Sequence, residues 1–380
     1  MEKGDVKKAS ALMMSAVFIG FLLYFVVGYF AIMPSYVSYV ENRRLAHMPE
    51  LSASSLADGS FEKGLEGYLS DHLTSRNELV RLQVDISRAM GRNYQRGVYL
   101  SDDGYYIRES HLTKESAALF AEALNEFAEE SDAEVDLLVI PETGIMLRDK
   151  IPYDYLTRSF DKAEESVEFL SELLSEKVNF YYAKEPVREL IDSGVQAFYR
   201  TDHHWTTECV KAVFDWYADK SGLAVPEIEY EKHEVKGYYG VLYSLAPSLF
   251  AEGDVLNYYT NPDGKYSVVC NDEAPKDTVI DDVSEILEKD KYKVFFGGDR
   301  FHIQISSNAP EGNILVLQDS FGRAFLPFLA DSCSDIYAID TRHFDTKEKP
   351  VKELAGELGA EKVLLIYYTD SLSYEQFRRY

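Results

Sequence analysis

Two histidines and an aspartate stand together in residues 199–206, which read YRTDHHWT. An amphipathic helix is predicted directly after them, so the cluster lies on the loop that enters a helix. In an extended loop, side chains two positions apart point to the same side, so Asp202 can accept a hydrogen bond from one nitrogen of His204. The other nitrogen is then free to act as a general base. This pair is the orienting half of a Ser-His-Asp triad, with His203 and Trp205 in supporting positions.

A serine that could serve as the nucleophile follows an apolar strand. Residues 313–318 read NILVLQ and are followed by DSFGRAFLPFLA, so a buried strand stops next to Ser320 and a helix begins at once. A hydroxyl at a helix N-terminus lies where backbone amides and the helix dipole favour a developing oxyanion. The amides of Ser320, Phe321 and Gly322 are candidate donors. Alternatively, Ser or Asp here only caps the helix, and Gln318 stands where the G-x-S-x-G elbow has its first glycine.

The cluster of Asp202, His203 and His204 has two metal-based alternatives. One is a metal site, but adjacent histidines seldom chelate one metal with good geometry, and the sequence has no HExxH motif or His-rich partner segment. The other is the DHH motif of metal-dependent phosphoesterases, but no Asp-x-Asp partner at a strand end precedes it. The sequence therefore predicts neither a metal nor another cofactor.

A membrane anchor is predicted near the N-terminus. Residues 9–33 contain no charged side chain and exceed the roughly 20 residues that span a hydrocarbon core. The alternative is a cleaved signal peptide, which has a shorter apolar run and a small-residue cleavage site. Three lysines within residues 1–8 lie closer to the span than Arg43 and Arg44 do, which favours a cytoplasmic N-terminus. We predict a single-pass protein of the cell membrane with a short cytoplasmic tail at residues 1–8 and an extracytoplasmic C-terminal domain.

The charge of the chain excludes a nucleic-acid-binding role. The formal net charge of the 380 residues is −26, whereas proteins that bind a phosphate backbone cluster Lys and Arg. An acidic surface also repels anionic lipid, so membrane attachment is expected from the inserted segment. The three cysteines are too few and too scattered for a disulfide framework or a zinc ribbon.

The rest of the chain divides into a stalk and a domain. Residues 34–96 are predicted to be a polar, largely helical stalk, and residues 97–380 an α/β domain entered through a hairpin with a Ser-Asp-Asp-Gly turn at 101–104. The later strands are continuous apolar runs, which are typical of strands covered by helices on both faces. This predicts a three-layer α/β/α sandwich with a mostly parallel sheet. The predicted strands are residues 135–140, 178–183, 294–296, 313–318, 335–340 and 362–368, and the predicted helices are near 114–130 and 159–176.

Four segments together resemble the DHHW proteins, relatives of the AlgX/AlgJ-like branch of the SGNH hydrolase superfamily. They are TDHHWT at 201–206, FFGGD at 295–299, LQDSFGRAFLPFLA at 317–330 and IDTRHF at 339–344. The resemblance implies an SGNH-hydrolase-like, flavodoxin-like domain that carries out O-acyl transfer or ester hydrolysis on a cell-surface or exported polysaccharide. It also implies that Ser320 is the nucleophile, His204 the base and Asp202 the orienting acid.

Two positions depart from the pattern of these relatives. Gln318 stands where lysine often precedes the Asp-Ser pair, and Asp299 stands where asparagine is often seen. An ionised Asp299 cannot donate a hydrogen bond. Oxyanion stabilisation would then fall to backbone amides, including those of Gly297 and Gly298, although this pair alternatively forms only a turn. Arg323 is a candidate substrate contact.

The resemblance favours a serine-dependent O-acetyltransferase, with a membrane-embedded acetyl-donating protein as its partner. An acetyl-esterase of the same fold is the first alternative, because the two reactions differ only in whether a sugar hydroxyl or water accepts the acyl group. A non-catalytic polysaccharide-binding scaffold of an envelope export complex is the second, since some of the 28 tyrosines and 21 phenylalanines could stack on sugar faces. A pure binder has no need for Asp202, His204 and Ser320 together.

Overall fold

The computed structural model describes residues 3–31, 35–152, 155–282 and 291–380. It forms two compact units, Met1–Arg92 with Tyr243–Ala251 and Asn93–Leu242 with Glu252–Tyr380. Residues 1 and 2 of the predicted tail, 32 and 33 of the predicted anchor and 34 of the predicted stalk lie outside the described residues. The division into tail, anchor, stalk and domain stays a prediction.

The first unit begins with a long apolar helix, α1 (Lys3–Ala31). Its residues Lys7–Ala31 have a mean hydropathy of 2.3, and none of them is fully buried. By length and composition this helix can cross a membrane. The other elements of this unit are the paired strands β1 (Val37–Ser38) and β2 (Arg43–Arg44) and the helices α2 (Ala53–Ala57), α3 (Ser60–Asp71) and α4 (Arg76–Ala89).

The second unit opens with a small antiparallel sheet of β3 (Tyr94–Gln95), β4 (Val98–Leu100) and β5 (Tyr106–Arg108). The predicted hairpin is confirmed, since the turn at 101–104 joins β4 to β5. The remaining strands of this unit are β6 (Glu134–Ile140), β7 (Val178–Tyr182), β8 (Glu231–Tyr238), β9 (Asp254–Thr260), β10 (Tyr266–Cys270), β11 (His302–Ser307), β12 (Asn313–Gln318), β13 (Asp335–Ile339) and β14 (Lys362–Tyr368).

A seven-stranded sheet in the order β10-β11-β13-β12-β14-β6-β7 forms the centre of this unit. The five strands from β13 to β7 in that order run parallel, whereas β11 is antiparallel to β13 and β10 is antiparallel to β11. The prediction of a mostly parallel sheet is therefore confirmed. Because the carboxyl ends of parallel strands share one edge, residues that follow β12 and β14 meet there.

Helices cover both faces of this sheet. The helices of this unit are α5 (Lys114–Glu130), α6 (Thr143–Met146), α7 (Tyr155–Leu173), α8 (Lys184–Asp192), α9 (Thr207–Ser221), α11 (Gly322–Ala330) and α12 (Val351–Leu358), and the short α10 (Val241–Leu245) contains residues of both units. Tyr217 of α9 donates a hydrogen bond to Asp136 at 2.6 Å, and Asp136 pairs with Leu364 of β14. Phe120 of α5 contacts Tyr367, three positions further along β14. Successive strand residues face opposite sides, so α5 and α9 lie on opposite faces.

One predicted strand is wrong. Residues 294–296 form no sheet strand among the described residues. Val294 ends a 3-10 turn that begins at Lys291, and Phe295 makes an isolated bridge with Ile280. Residues 296–298 have φ angles of 59°, 75° and 105°. Backbone in this region cannot continue an extended strand.

Two strands at one edge of the sheet were not predicted from the sequence. β10 reads YSVVC and β11 reads HIQISS, so polar residues interrupt the apolar runs that identify the central strands. Their antiparallel pairing at the edge requires no continuous apolar run.

Candidate active site

The loop before α9 is held by its own flanking residues. Phe198 and Trp205 pair as an isolated antiparallel bridge. The Thr206 hydroxyl then caps α9, since it accepts a hydrogen bond from a backbone amide of the first helical turn at 3.3 Å. Asp202 and His204 are therefore held between a bridge and a helix start.

Asp254, at the start of β9, ties the same loop down from a distant part of the sequence. Its carboxylate accepts hydrogen bonds from the amide of Arg200 at 2.9 Å, the amide of Thr201 at 2.9 Å and the hydroxyl of Thr201 at 2.7 Å. Thr201 and Asp254 are both buried. Asp254 lies 53 residues beyond Thr201 in the chain, and no local sequence pattern predicts their contact.

Ser320, His204 and Asp202 form a continuous line of hydrogen bonds. Ser320 Oγ lies 2.8 Å from His204 Nε2, and His204 Nδ1 lies 2.9 Å from Asp202 Oδ1. All three residues are buried. A proton on Nδ1 faces the carboxylate, so Nε2 offers its lone pair to the serine hydroxyl. The structure thus brings together two predicted segments that lie 116 residues apart in the chain.

The Asp202 carboxylate has further partners that fix its position. Its Oδ2 accepts hydrogen bonds from the hydroxyl of Tyr238 at 2.6 Å and the amide of Val241 at 3.0 Å. A Cβ added at Gly240 would lie 2.0 Å from the same oxygen, so only glycine allows the chain to pass so closely. Sequence reasoning missed Tyr238 and Gly240, because no motif surrounds them.

His203 contacts the same carboxylate. Its Nδ1 lies 2.9 Å from Asp202 Oδ1, and its ring packs against that of His204 with centroids 4.1 Å apart. The ligand atoms of Asp202, His203 and His204 lie within 4.8 Å of one another, which is close enough to hold a metal ion. Both ring nitrogens of His204 are already engaged, however, by Asp202 and Ser320. That leaves no free lone pair on His204 for a metal.

Burial and neighbouring charge set the protonation of this cluster. Burial lowers the pKa of His204 from 6.5 to about 4, and His203 acts in the same direction while Asp202 opposes the shift. Burial alone would raise the pKa of Asp202, but His204 and His203 outweigh it and hold this pKa well below its usual value. At neutral pH the imidazole is therefore neutral and the carboxylate charged. A general base requires this combination.

Asp319 holds the tight turn that carries Ser320 between β12 and α11. One oxygen of the buried Asp319 carboxylate accepts a hydrogen bond from the amide of Phe321 at 2.8 Å. The other accepts from the amide of Tyr368 at 2.8 Å and the hydroxyl of Ser371 at 2.7 Å. Because Tyr368 ends β14, these bonds fix the turn to the neighbouring strand. Burial raises the pKa of Asp319, although the bonds from Ser371 and Tyr368 oppose the rise.

Gly322 allows this turn to close. It is the first residue of α11, and an added Cβ would lie 2.4 Å from the side-chain oxygen of Gln318. The first amides of a helix lack partners within the helix. The start of α11 therefore presents the Gly322 amide beside Ser320, whereas the amide of Phe321 is bound by Asp319.

Aromatic rings surround the His204 imidazole. Tyr292 stacks on it with ring centroids 4.0 Å apart and planes 16° apart, and Phe321 lies 5.0 Å away. Phe321 in turn stacks on Tyr368 at 4.3 Å and packs against the buried Trp205 at 5.7 Å. These rings keep water from the imidazole, which is the physical cause of its low pKa.

The remaining predicted residues lie around the turn at 297–299. The amides of Gly297 and Gly298 donate to carbonyls earlier in the same turn, at 2.9 and 3.4 Å. Asp299 Oδ1 lies 3.3 Å from Nη2 of Arg323. Arg323 is buried, and its Nε has no hydrogen-bond partner in the part of the chain that the structure describes. The guanidinium therefore has unused hydrogen-bonding capacity.

Sequence comparison places the chain in a known family. The sequence profile of the family described as "DHHW protein" matches residues 87–339, which is more than half of the chain and includes Asp202, His204 and Ser320. The chain belongs to the DHHW protein family. A comparison with curated protein sequences finds no significant match.

Solved structures resemble this DHHW protein in fold. A DHHW family protein from Eubacterium siraeum DSM 15702 is 22% identical, with a TM-score of 0.64 over 75% of this chain and 94% of its own. Bacillus cereus PatB1 with a sulfonyl adduct is 23% identical, with a TM-score of 0.61 over 74% of this chain and 97% of its own. The O-acetyltransferase domain of Pseudomonas putida AlgJ is 13% identical, with a TM-score of 0.50 over 73% and 93%. At these identities the likeness concerns the fold.

Proposed function

We propose that this DHHW protein is a membrane-anchored, serine-dependent O-acetyltransferase with an SGNH-hydrolase-like domain, acting on a cell-surface or exported polysaccharide outside the cytoplasm. The observation that carries the proposal is the 2.8 Å hydrogen bond from Ser320 Oγ to His204 Nε2, continued to Asp202 at 2.9 Å. A hydroxyl, a neutral imidazole and a carboxylate in this order constitute an activated nucleophile.

The proposed reaction has two steps. His204 Nε2 takes the proton of Ser320 while Oγ attacks the carbonyl carbon of an acetyl ester, and the protonated imidazole then gives that proton to the departing alkoxide. The acetyl group is now an ester of Ser320. In the second step His204 takes the proton of a sugar hydroxyl, whose oxygen attacks the acetyl carbonyl. The proton returns to Ser320 Oγ as the acetylated sugar leaves.

The start of α11 supplies the proposed oxyanion donors. The amides of Ser320 and Gly322 lie at the N-terminal end of this helix, where the dipole also favours negative charge. The amide of Phe321 donates its hydrogen bond to Asp319. This bond stabilises the turn that carries Ser320, so the amide is not proposed as an oxyanion donor. Gly297 and Gly298 use their amides within their own turn and are not proposed as donors.

Arg323 is proposed to contact the acceptor sugar. Its guanidinium lies over the Tyr292 ring at 5.8 Å, beside the imidazole that Tyr292 covers, and its ion-pair partner Asp299 is exposed. A sugar hydroxyl or carboxylate could replace Asp299 on the guanidinium. Such a contact would hold the sugar against the acyl-enzyme and favour transfer over hydrolysis.

Two structural neighbours support this proposal. AlgJ is described as containing an O-acetyltransferase domain, and PatB1 was obtained with a sulfonyl adduct, which is the product expected when a nucleophilic side chain attacks a sulfonyl reagent. The apolar helix α1 supports membrane anchoring. A membrane-embedded acetyl-donating protein remains the proposed source of the acetyl group.

Covalent labelling of the full-length protein tests the nucleophile. A fluorophosphonate should phosphonylate Ser320, with loss of fluoride, and block hydrolysis of p-nitrophenyl acetate. Ser320→Ala should abolish both reactions. Ser332→Ala is the matched control, because Ser332 is also buried and its Oγ has no hydrogen-bond partner among the described residues. Folded protein without label on Ser320, or undiminished labelling of Ser320→Ala, would refute the assignment.

The choice of acceptor needs a separate measurement. Acetyl release to water and acetyl transfer to added oligosaccharide are followed together by mass spectrometry. A transferase should lose its hydrolysis product as oligosaccharide concentration rises, and Arg323→Ala should shift the partition back towards water. Hydrolysis that no oligosaccharide reduces would identify an acetyl-esterase instead.

A further inference from the structure

The end of α1 does not stand free but packs against a folded group of residues. We call residues 35–46 and 68–78 together the collar. Tyr24 Oη lies 2.5 Å from Ser75 Oγ, and a Cβ added at Gly28 would lie 2.3 Å from the side chain of Thr74. The ring of Tyr29 meets that of Tyr68 at 6.4 Å. Close approach at Gly28 makes this a specific contact between the helix and the collar.

Hydrogen bonds within the collar join its two segments. His72 Nε2 lies 3.1 Å from the carbonyl oxygen of Ser35, and the Asp71 carboxylate accepts hydrogen bonds from Arg43 at 3.0 Å and the amide of Ala46 at 2.9 Å. Arg76 of the second segment also pairs with a glutamate of the first. The collar is therefore a folded structure held by hydrogen bonds and an ion pair, rather than an extended linker.

The length of α1 places the collar relative to a bilayer. Lys7 and Lys8 mark the charged end of the helix, and roughly 20 residues suffice to cross the hydrocarbon core. Counting from Ala9, the crossing ends near Gly28. The collar contacts Tyr24, Gly28 and Tyr29 near this end of α1. It must therefore lie at the level of the headgroups when α1 spans the membrane.

The surface of the collar suits that level. Five of its large apolar side chains are 40–62% exposed, namely Tyr36, Val37, Tyr39, Leu69 and Leu73. Tyrosine is enriched at the membrane interface, where its ring is buried among lipid and its hydroxyl stays in water. A half-open groove of about 580 Å³ runs between the collar and the last turn of α1. Insertion of such side chains into the bilayer interface is favourable, because it removes their apolar surface from water.

We propose that the collar docks into the headgroup layer of the bilayer at the C-terminal end of α1. The span and the collar would then form one membrane-embedded unit, in which residues 35–46 and 68–78 lie in the interface. The inference rests on the membrane anchoring in the proposed function but not on its acyl-transfer chemistry. The partner is the lipid surface, to which the collar offers tyrosine rings and leucine side chains.

Fluorescence quenching in nanodiscs tests this docking with the full-length protein. Tryptophan is introduced separately at four positions. Tyr39→Trp and Leu73→Trp lie in the collar, Ile19→Trp lies in the middle of α1, and Leu119→Trp lies at an exposed position of α5. Lipids carry bromine either near the headgroup or deep in the acyl chain. The signal of the two native tryptophans is subtracted with the parent protein.

Shallow bromine should quench both collar tryptophans more than deep bromine does, the reverse order should hold at position 19, and position 119 should not respond. Quenching at 19 without quenching in the collar would overturn the docking and leave the anchor intact. Absence of quenching at 19 as well would overturn the anchor and the docking together. Hydrolysis of p-nitrophenyl acetate by the same samples reports separately on the proposed chemistry. Two collar positions are used so that one poorly folded variant does not decide the outcome.

Discussion

Replacement of Gly240 by alanine should disrupt the line of Ser320, His204 and Asp202 without replacing any of these three residues. Gly240 lies outside the left-handed backbone region, so alanine brings no backbone strain there. Its methyl carbon, however, would lie 2.0 Å from Asp202 Oδ2 and 2.4 Å from Asp202 Cγ. Carbon and oxygen in contact normally lie about 3.3 Å or more apart. The carboxylate must therefore move by more than about 1 Å, or the chain at Gly240 must retreat as far.

This displacement sets the expected loss. A misplacement of about 1 Å in a group that positions the chemistry costs on the order of 10²-fold in rate, which corresponds to about 2.7 kcal/mol of activation free energy. Asp202 orients His204, so the loss should appear in the rate of acyl-enzyme formation. The assay is the rate of fluorophosphonate labelling together with kcat for p-nitrophenyl acetate, both measured with the full-length protein.

Two further variants isolate the steric cause. Gly356→Ala in α12 is the matched control, because its added Cβ meets no atom within 4 Å, and it should keep full activity. Tyr238→Phe removes the 2.6 Å hydrogen bond to Asp202 without adding bulk. A smaller loss of rate is expected, because no atom is forced onto the carboxylate and its Oδ2 keeps the hydrogen bond from the amide of Val241. If Gly240→Ala is folded, as judged by its thermal transition, and labels at the parent rate, the orienting role of Asp202 is wrong.

Four other predictions concern the same site. The hydrolysis rate should be level near neutral pH and fall only as the pH drops towards 4, where His204 becomes protonated. A fall centred near 6.5 would contradict the effect of burial. The depressed pKa of His204 also means that its contribution to stability, complete above about pH 6.5, is lost as the pH falls through about 4, which urea titrations at several pH values would show. Asp254→Ala leaves the buried amide of Thr201 unpaired and its hydroxyl with only a 3.4 Å hydrogen bond to the carbonyl oxygen of Tyr238. The free energy of unfolding, read from urea unfolding, should fall by about 2–4 kcal/mol, and a change below about 0.5 kcal/mol would exclude the tying role. Asp319→Ala frees the amides of Phe321 and Tyr368 and should reduce labelling of Ser320 more than it reduces substrate binding, so a change in KM alone would contradict its role in holding the turn.

Much of the fold could be predicted because its signals are local. The apolar runs of β6, β12 and β14 coincide with predicted strands within a residue or two, since a strand buried on both faces needs apolar residues at every position. The edge strand β10 and its neighbour β11 were not predicted, because strands buried on one side admit polar residues. Residues 294–296 are apolar and were predicted to form a strand, but they enter a turn whose φ angles are positive from Phe296 onward.

Parts of the site were also open to prediction. The Asp-x-His spacing fixes which two side chains of the loop can share a hydrogen bond, and the strand-to-helix junction marks Ser320. The helix dipole and unpaired amides at that junction follow from chain geometry alone. Each half of the site was therefore accessible from a short segment, whereas their meeting at 2.8 Å was implied only by the family resemblance.

The sequence by itself determined the chemical types at the site, the apolar helix α1 and the order of the central strands along the chain. Only the tertiary structure decided what surrounds the line from Ser320 to Asp202. Asp254, Tyr238 and Tyr292 come from segments with no motif, and each acts through a contact across tens of residues. The low pKa of His204 likewise arises from burial under rings contributed by separate elements. A local pattern specifies which groups can react, but desolvation and orientation depend on chain segments that meet only on folding.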